Sequence, residues 1–141
     1  MNWKLILGLS IFGIAMGCAS LFGLTRNIEP ILWLIIFIFY AVWIAKRARG
    51  NHFLHGFLVS LINGIWISLI HFAFFDMFAE NNPEMIAKFG NLPPSVSLRL
   101  MVLLVGPIVG AVFGVVAGLF ALLAGKLPGD KSAQPTPGGP A

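Results

Sequence analysis

Charge is what this sequence has least of. Asp, Glu, Lys and Arg make up 10% of the 141 residues, against about a quarter in soluble domains. No acidic residue stands before Glu29, between Glu29 and Asp76, or between Glu84 and Asp130. Transport coupled to ions or protons through a carboxylate at mid-membrane depth is thereby excluded, as are paired catalytic carboxylates on the inner face. A single cysteine, Cys18, rules out a disulfide within the chain. It reads as a small buried apolar side chain. The three histidines are His52, His55 and His71. His52 and His55 alone make an incomplete metal site, and His55 and His71 lie ~24 Å apart along one helix, too far to share a haem. Neither a Ser, His and acid set nor a glycine-rich phosphate loop is present. We therefore expect no enzyme activity, metal or cofactor.

Apolar residues are abundant instead, at 58% of the chain, and the mean hydropathy is +0.92. A membrane span needs about 20 apolar residues, because the hydrocarbon core is ~30 Å thick. Four stretches meet or approach that length, at about residues 5–24, 31–45, 53–75 and 98–127. Their lengths suit helices rather than the ~10-residue alternating strands of a membrane barrel. The expected fold is an all-α integral membrane protein, a four-helix up-down bundle over residues 1–127 with the lipid bilayer as its first partner. Trp33, Tyr40 and Trp43 read as interfacial anchors of the short second span.

Positive charge orients the bundle, since short cytoplasmic loops retain Lys and Arg. Lys46, Arg47 and Arg49 lie between the second and third spans, on the same side as Lys4, Lys126 and Lys131. Both termini are therefore expected in the cytoplasm of a bacterial cell, the bundle lying in its inner membrane. The basic run serves topology, so the net charge of +4 needs no nucleic-acid partner. "AMGC" resembles a lipoprotein cleavage site only faintly, because Ala15 replaces the large aliphatic residue that such a site carries.

The outer loop, residues 76–97, holds one helical signal over 83–89: Asn82 as cap, Pro83 at the first position, Glu84 in the first turn and Gly90 as the stop. Residues 128–141 are rich in Pro and Gly and read as a disordered tail.

Small residues are arranged in rows. Gly106, Gly110, Gly114 and Gly118 stand four apart on the fourth span; Gly56, Ser60, Gly64 and Ser68 do so on the third. Run antiparallel, the two rows pair Ser68 with Gly106, Gly64 with Gly110, Ser60 with Gly114 and Gly56 with Gly118. Close backbone approach is what such glycine-zipper rows provide in lipid, where no hydrophobic force joins helices. The same seam could instead join two subunits as a homo-oligomer. Gly13 and Gly17 give the first span a small face, whereas the bulky second span is expected to show more of itself to lipid or a neighbour. Polarity concentrates on the third span, with His55, Asn63 and His71 in one i+4 series beside the row that holds Ser60 and Ser68; Asn63 is expected beside Gly110 and His71 at the depth of Pro107. Pro107 cannot donate to the Leu103 carbonyl, and the depth of His71 makes its ring the expected replacement.

The chain also resembles small four-span exporters in length and in its glycine-rich last helix, but it lacks their first-span glutamate and its clear charge bias does not fit their dual topology, which sets it outside that family. A second resemblance rests on "NPEM" at 82–85, "PPS" at 93–95 and the "GF" after His55. Through these residues 1–127 resemble small four-span bacterial inner-membrane proteins of unknown function; that resemblance implies topology and transfers no functional residue. Two functions stay open. One is a noncatalytic accessory, assembly or scaffold protein that associates with itself or with a larger membrane complex. The other is a small channel or transporter with a neutral polar path by Asn63 and His71.

Overall fold

The computed structural model describes residues 1–90, 93 and 95–127. Its described residues form seven helices and no strand: α1 (Trp3–Leu9), α2 (Ile11–Leu21), α3 (Glu29–Arg47), α4 (His52–Ala73), α5 (Phe75–Asn81), α6 (Pro83–Ala87) and α7 (Leu98–Lys126). Four spans long and apolar enough to cross a membrane result, α1 with α2 making the first and α3, α4 and α7 the others. The tail at 128–141 lies outside the described residues.

Contacts between spans set their directions. Asn2 meets His55 at one end of the bundle and Ser20 meets His71 at the other, so the first and third spans run parallel. Gly56 faces Gly118 while Ser68 faces Gly106, which makes α7 antiparallel to α4. Lys4, Arg47 and Arg49 line one end; Arg26, Glu29, Glu84 and Lys88 gather at the other.

The first span is not continuous. Ser10 closes α1 in an αR turn before α2 begins, and the Gly13 amide bonds Ser10 rather than extending the regular ladder (3.1 Å). In hydrocarbon each displaced backbone group needs another partner. Ser10 supplies one locally, its hydroxyl donating to the Leu7 carbonyl at 2.8 Å.

The link from α3 to α4 is tight because Gly50 and Asn51 both take positive φ, 138° and 51°. Glycine accepts such angles freely, and asparagine is among the residues that tolerate the left-handed region best. The Asn51 carbonyl then accepts both the His55 amide (3.1 Å) and the His55 Nδ1–H (2.9 Å). This leaves Nε2 to accept the Asn2 amide at 3.1 Å. One histidine thus ties the start of the first span to the start of the third.

Burial corrects three expectations. Within an 18-residue apolar stretch of each span the share of buried residues is 39% in the first and third spans, 28% in α3 and 22% in α7, so α7 rather than the bulky second span shows most of itself. The reason is width: α7 turns in a narrow small-residue row, whereas α3 sends Phe37, Tyr40 and Ile44 into the core. Tyr40 is no interfacial anchor, being 0% exposed. Cys18 is exposed, because α2 points Gly13, Met16, Gly17 and Ser20 inward instead.

The loop after α4 also differs from expectation. Helix continues almost directly into α5, whose Phe78 is buried with Leu21 and Val102. Asn82 does not cap α6 through its side chain; its amide reaches inward to the Ser20 carbonyl at 2.9 Å and the Phe78 carbonyl at 3.0 Å.

Candidate functional site

Helix α4 is buried along two rows, and they do different work. Gly56, Gly64 and Ser68 face α7. A methyl group on Gly56 would lie 2.6 Å from the Ala117 carbonyl oxygen, and one on Gly64 would lie 2.8 Å from the Gly110 Cα. One on Gly106 would lie 2.6 Å from the Ser68 hydroxyl. The first two are backbone-on-backbone approaches and the third sets backbone against a small side chain; any larger residue would hold the helices apart. Ser60 stands by Gly110 through its carbonyl, and Gly114 packs on Phe57 rather than Ser60.

The second row, Val59, Asn63 and His71, is buried on other helices. Asn63 therefore does not face Gly110. Its Oδ1 accepts the Gly13 amide at 3.0 Å, and its Nδ2 donates to the Tyr40 hydroxyl at 2.6 Å. Tyr40 in turn donates to the Leu9 carbonyl at 3.2 Å. The result is a closed polar circuit around the break in the first span. Leu9 and Gly13, whose groups a straight helix would pair with each other, are joined through Tyr40 and Asn63 instead. Asn63 itself is 0% exposed. Gly13 leaves room for it, because a methyl group there would lie 2.7 Å from the Asn63 Cα; Gly17 in the same way admits Ile67 and Ile70.

His71 belongs to a separate cluster at the loop end. The Ser20 hydroxyl donates to the Gly17 carbonyl at 3.0 Å, so its oxygen accepts the His71 Nε2–H at 2.5 Å. The His71 ring stacks on Phe78, with centroids 4.1 Å apart. No bond joins His71 to the Leu103 carbonyl among the described residues, and the expected Pro107 repair is not made. The reason is the row: His71 looks toward α2 and α5, not α7. Helix α7 runs unbroken through Pro107. The structure thus separates Asn63, His71 and Pro107, which the sequence reading placed in one polar site.

Above His71 lies a cavity of about 410 Å³, lined by Ser20, Thr25 and Asn82 among polar residues and by Trp33, Met85 and Phe113 among apolar ones. The charged residues Arg26, Glu29, Glu84 and Lys88 also line it. Arg26 and Glu84 pair at 3.3 Å. Among the described residues, no group of three or more His, Cys, Asp or Glu side chains is placed to hold a metal.

Lys46 and Arg47 close the last turn of α3, where positive charge complements the helix dipole. Arg47 also lies over the Trp43 ring at 5.4 Å. Arg49 shares a basic recess with Lys4 and Arg47.

Tyr40, Ser10 and Asn82 are structural residues that the sequence reading passed over or assigned elsewhere. Tyr40 carried a signal, as the one phenol in the chain: a hydroxyl deep in an apolar helix needs a partner. Comparison with protein-family models, curated proteins and solved structures finds no match for this chain.

Proposed function

We propose that the protein is a noncatalytic component of a bacterial inner membrane, with both termini in the cytoplasm, acting in assembly or as a scaffold within a larger membrane complex. The observation that carries this reading is the complete burial of Asn63, with both ends of its amide held by Tyr40 and Gly13. A polar group so engaged stiffens the bundle and offers nothing to a passing solute. The close approach of α4 and α7 at Gly64 and Gly110 likewise leaves the seam to protein contact. What the bundle presents is the outer face of α7, where Leu104, Ile108, Val112 and Leu123 are each at least 60% exposed. That face suits lipid or the transmembrane helix of a partner. The basic residues Lys46, Arg47 and Arg49 hold the orientation, and residues 1–127 keep their resemblance to four-span bacterial inner-membrane proteins.

The test combines two measurements. Protein reconstituted into vesicles should leave their permeability to ions and small neutral solutes at the level of empty vesicles. Protein extracted from its native membrane in mild detergent should elute with a defined set of membrane proteins, and lose them when Ile108 and Val112 are replaced by Ala. A solute flux abolished by Asn63→Leu would overturn the proposal in favour of a channel or transporter.

A further inference from the structure

We propose that the cavity at the loop end is a binding site for a zwitterionic phospholipid, the head group seated among Arg26, Glu29 and Lys88 and the first part of one acyl chain lying in the crevice between α3, α4 and α7. Three observations converge on this occupant. The rim of the cavity carries an anion and a cation, Glu29 and Lys88, that pair with no charged group among the described residues, whereas Arg26 and Glu84 pair with each other. A ligand bearing both signs complements such a rim; a simple anion would meet Glu29, and a simple cation would meet Lys88. The site also holds a polar group that opens into it. Thr25 is 4% exposed and lines the cavity; among the described residues no side-chain polar atom shut off from solvent is without a hydrogen-bond partner, so the small accessible part of Thr25 includes its hydroxyl. A phosphate or glycerol oxygen seated in the cavity would accept from it.

The third observation is shape. Glu29, Trp33 and Phe113 line this cavity and also a second, largely apolar crevice that runs inward past Val109, Gly110 and Gly64. Trp33 and Phe113 stack at 6.3 Å to form its aromatic wall. The apolar slot has a volume of about 100 Å³, so it receives the first methylenes of a chain whose remainder lies in the bilayer, and a polar mouth opening into such a slot follows the polarity gradient of one phospholipid molecule. The small residues of α4 and α7 thereby gain a second use, since their lack of side chains gives the slot its floor.

The test uses the full chain with Trp3, Trp43 and Trp66 replaced by Phe, so that Trp33 is the only indole. The protein is reconstituted into vesicles with phosphatidylethanolamine or phosphatidylglycerol brominated on the acyl chain, and the quenching of Trp33 is measured against the mole fraction of each. Phosphatidylethanolamine should bind at Trp33 with about a fivefold preference. Glu29→Gln combined with Lys88→Gln should abolish the preference while shifting the thermal unfolding midpoint little, as Lys88 is exposed and a glutamine at 29 keeps an oxygen for the Trp33 indole N–H that Glu29 accepts at 3.4 Å. A protein retaining only Trp43 should show no preference, because that residue sits at the opposite end. Equal quenching by the two lipids, a preference for phosphatidylglycerol, or a preference that survives the double substitution would overturn the proposal.

Discussion

Asn63 donates to the Tyr40 hydroxyl at 2.6 Å, and through this bond α4 and α3 together hold the first span at the point where its helix breaks. The circuit passes from the Gly13 amide through Asn63 and Tyr40 to the Leu9 carbonyl, so its members should behave as a unit.

A double-mutant cycle tests that unity. Asn63→Ala and Tyr40→Phe should each destabilise the protein by about 1–3 kcal/mol, because each leaves a buried polar group without its partner. Together they should lose less than the sum, with a coupling of about 0.5–2 kcal/mol. Reversible unfolding in mixed micelles measures all four corners; strict additivity would show that the two side chains act separately.

Glycines in the same bundle should respond in opposite directions. A methyl group on Gly64 meets the Gly110 backbone at 2.8 Å, whereas one on Gly8 meets nothing within 4 Å. Gly64→Ala should therefore destabilise by about 1–3 kcal/mol through overpacking. Gly8→Ala should stabilise by up to ~1 kcal/mol through helix propensity. Thermal midpoints of the two variants give the comparison, and a stabilising Gly64→Ala would rule out the close seam.

Arg99, at the start of α7, donates through Nε to the Phe72 carbonyl at 2.8 Å, and its guanidinium lies 4.9 Å from the Phe72 ring centroid. It satisfies one of the carbonyls that the end of α4 leaves open. Arg99→Ala should lower stability by about 1 kcal/mol, and Arg99→Lys should restore only part of it, because an ammonium lacks the planar fork that lies over the ring.

His71 and Ser20 should be coupled as well. Ser20→Ala removes the acceptor of the His71 Nε2–H and should destabilise by about 1 kcal/mol. In the background of His71→Phe, which keeps a ring to stack on Phe78, the same change should have little further effect. Unfolding measured on the single and double variants decides it; an undiminished loss from Ser20→Ala in the His71→Phe background would contradict the pairing.

Much of the architecture was legible because the bilayer imposes it. Length and apolar character alone mark four spans, and the rows at Gly56–Ser68 and Gly106–Gly118 brought the right faces of α4 and α7 together. Ser60 and Gly114 departed from that pairing because Phe57 takes the space over Gly114. The polar residues were less legible for a reason rooted in helix geometry. Asn63 and Gly64 are sequence neighbours, but one residue turns the helix by about 100°, enough to send Asn63 to Gly13 and Tyr40 while Gly64 meets α7. Periodicity marks both rows and names neither neighbour. The break at Ser10 is hidden similarly, since Gly8, Ser10 and Gly13 weaken a helix without fixing where it breaks; the break stands where tertiary partners from α3 and α4 receive the displaced backbone groups.

The most direct measurement of the closed core is the accessibility of position 63. With Cys18→Ser and Asn63→Cys, the reconstituted protein should resist a charged, water-soluble thiol reagent from either side of the vesicle and react only after denaturation in detergent. Modification of residue 63 in the folded protein would reveal a wet path to the middle of the bundle and contradict the account.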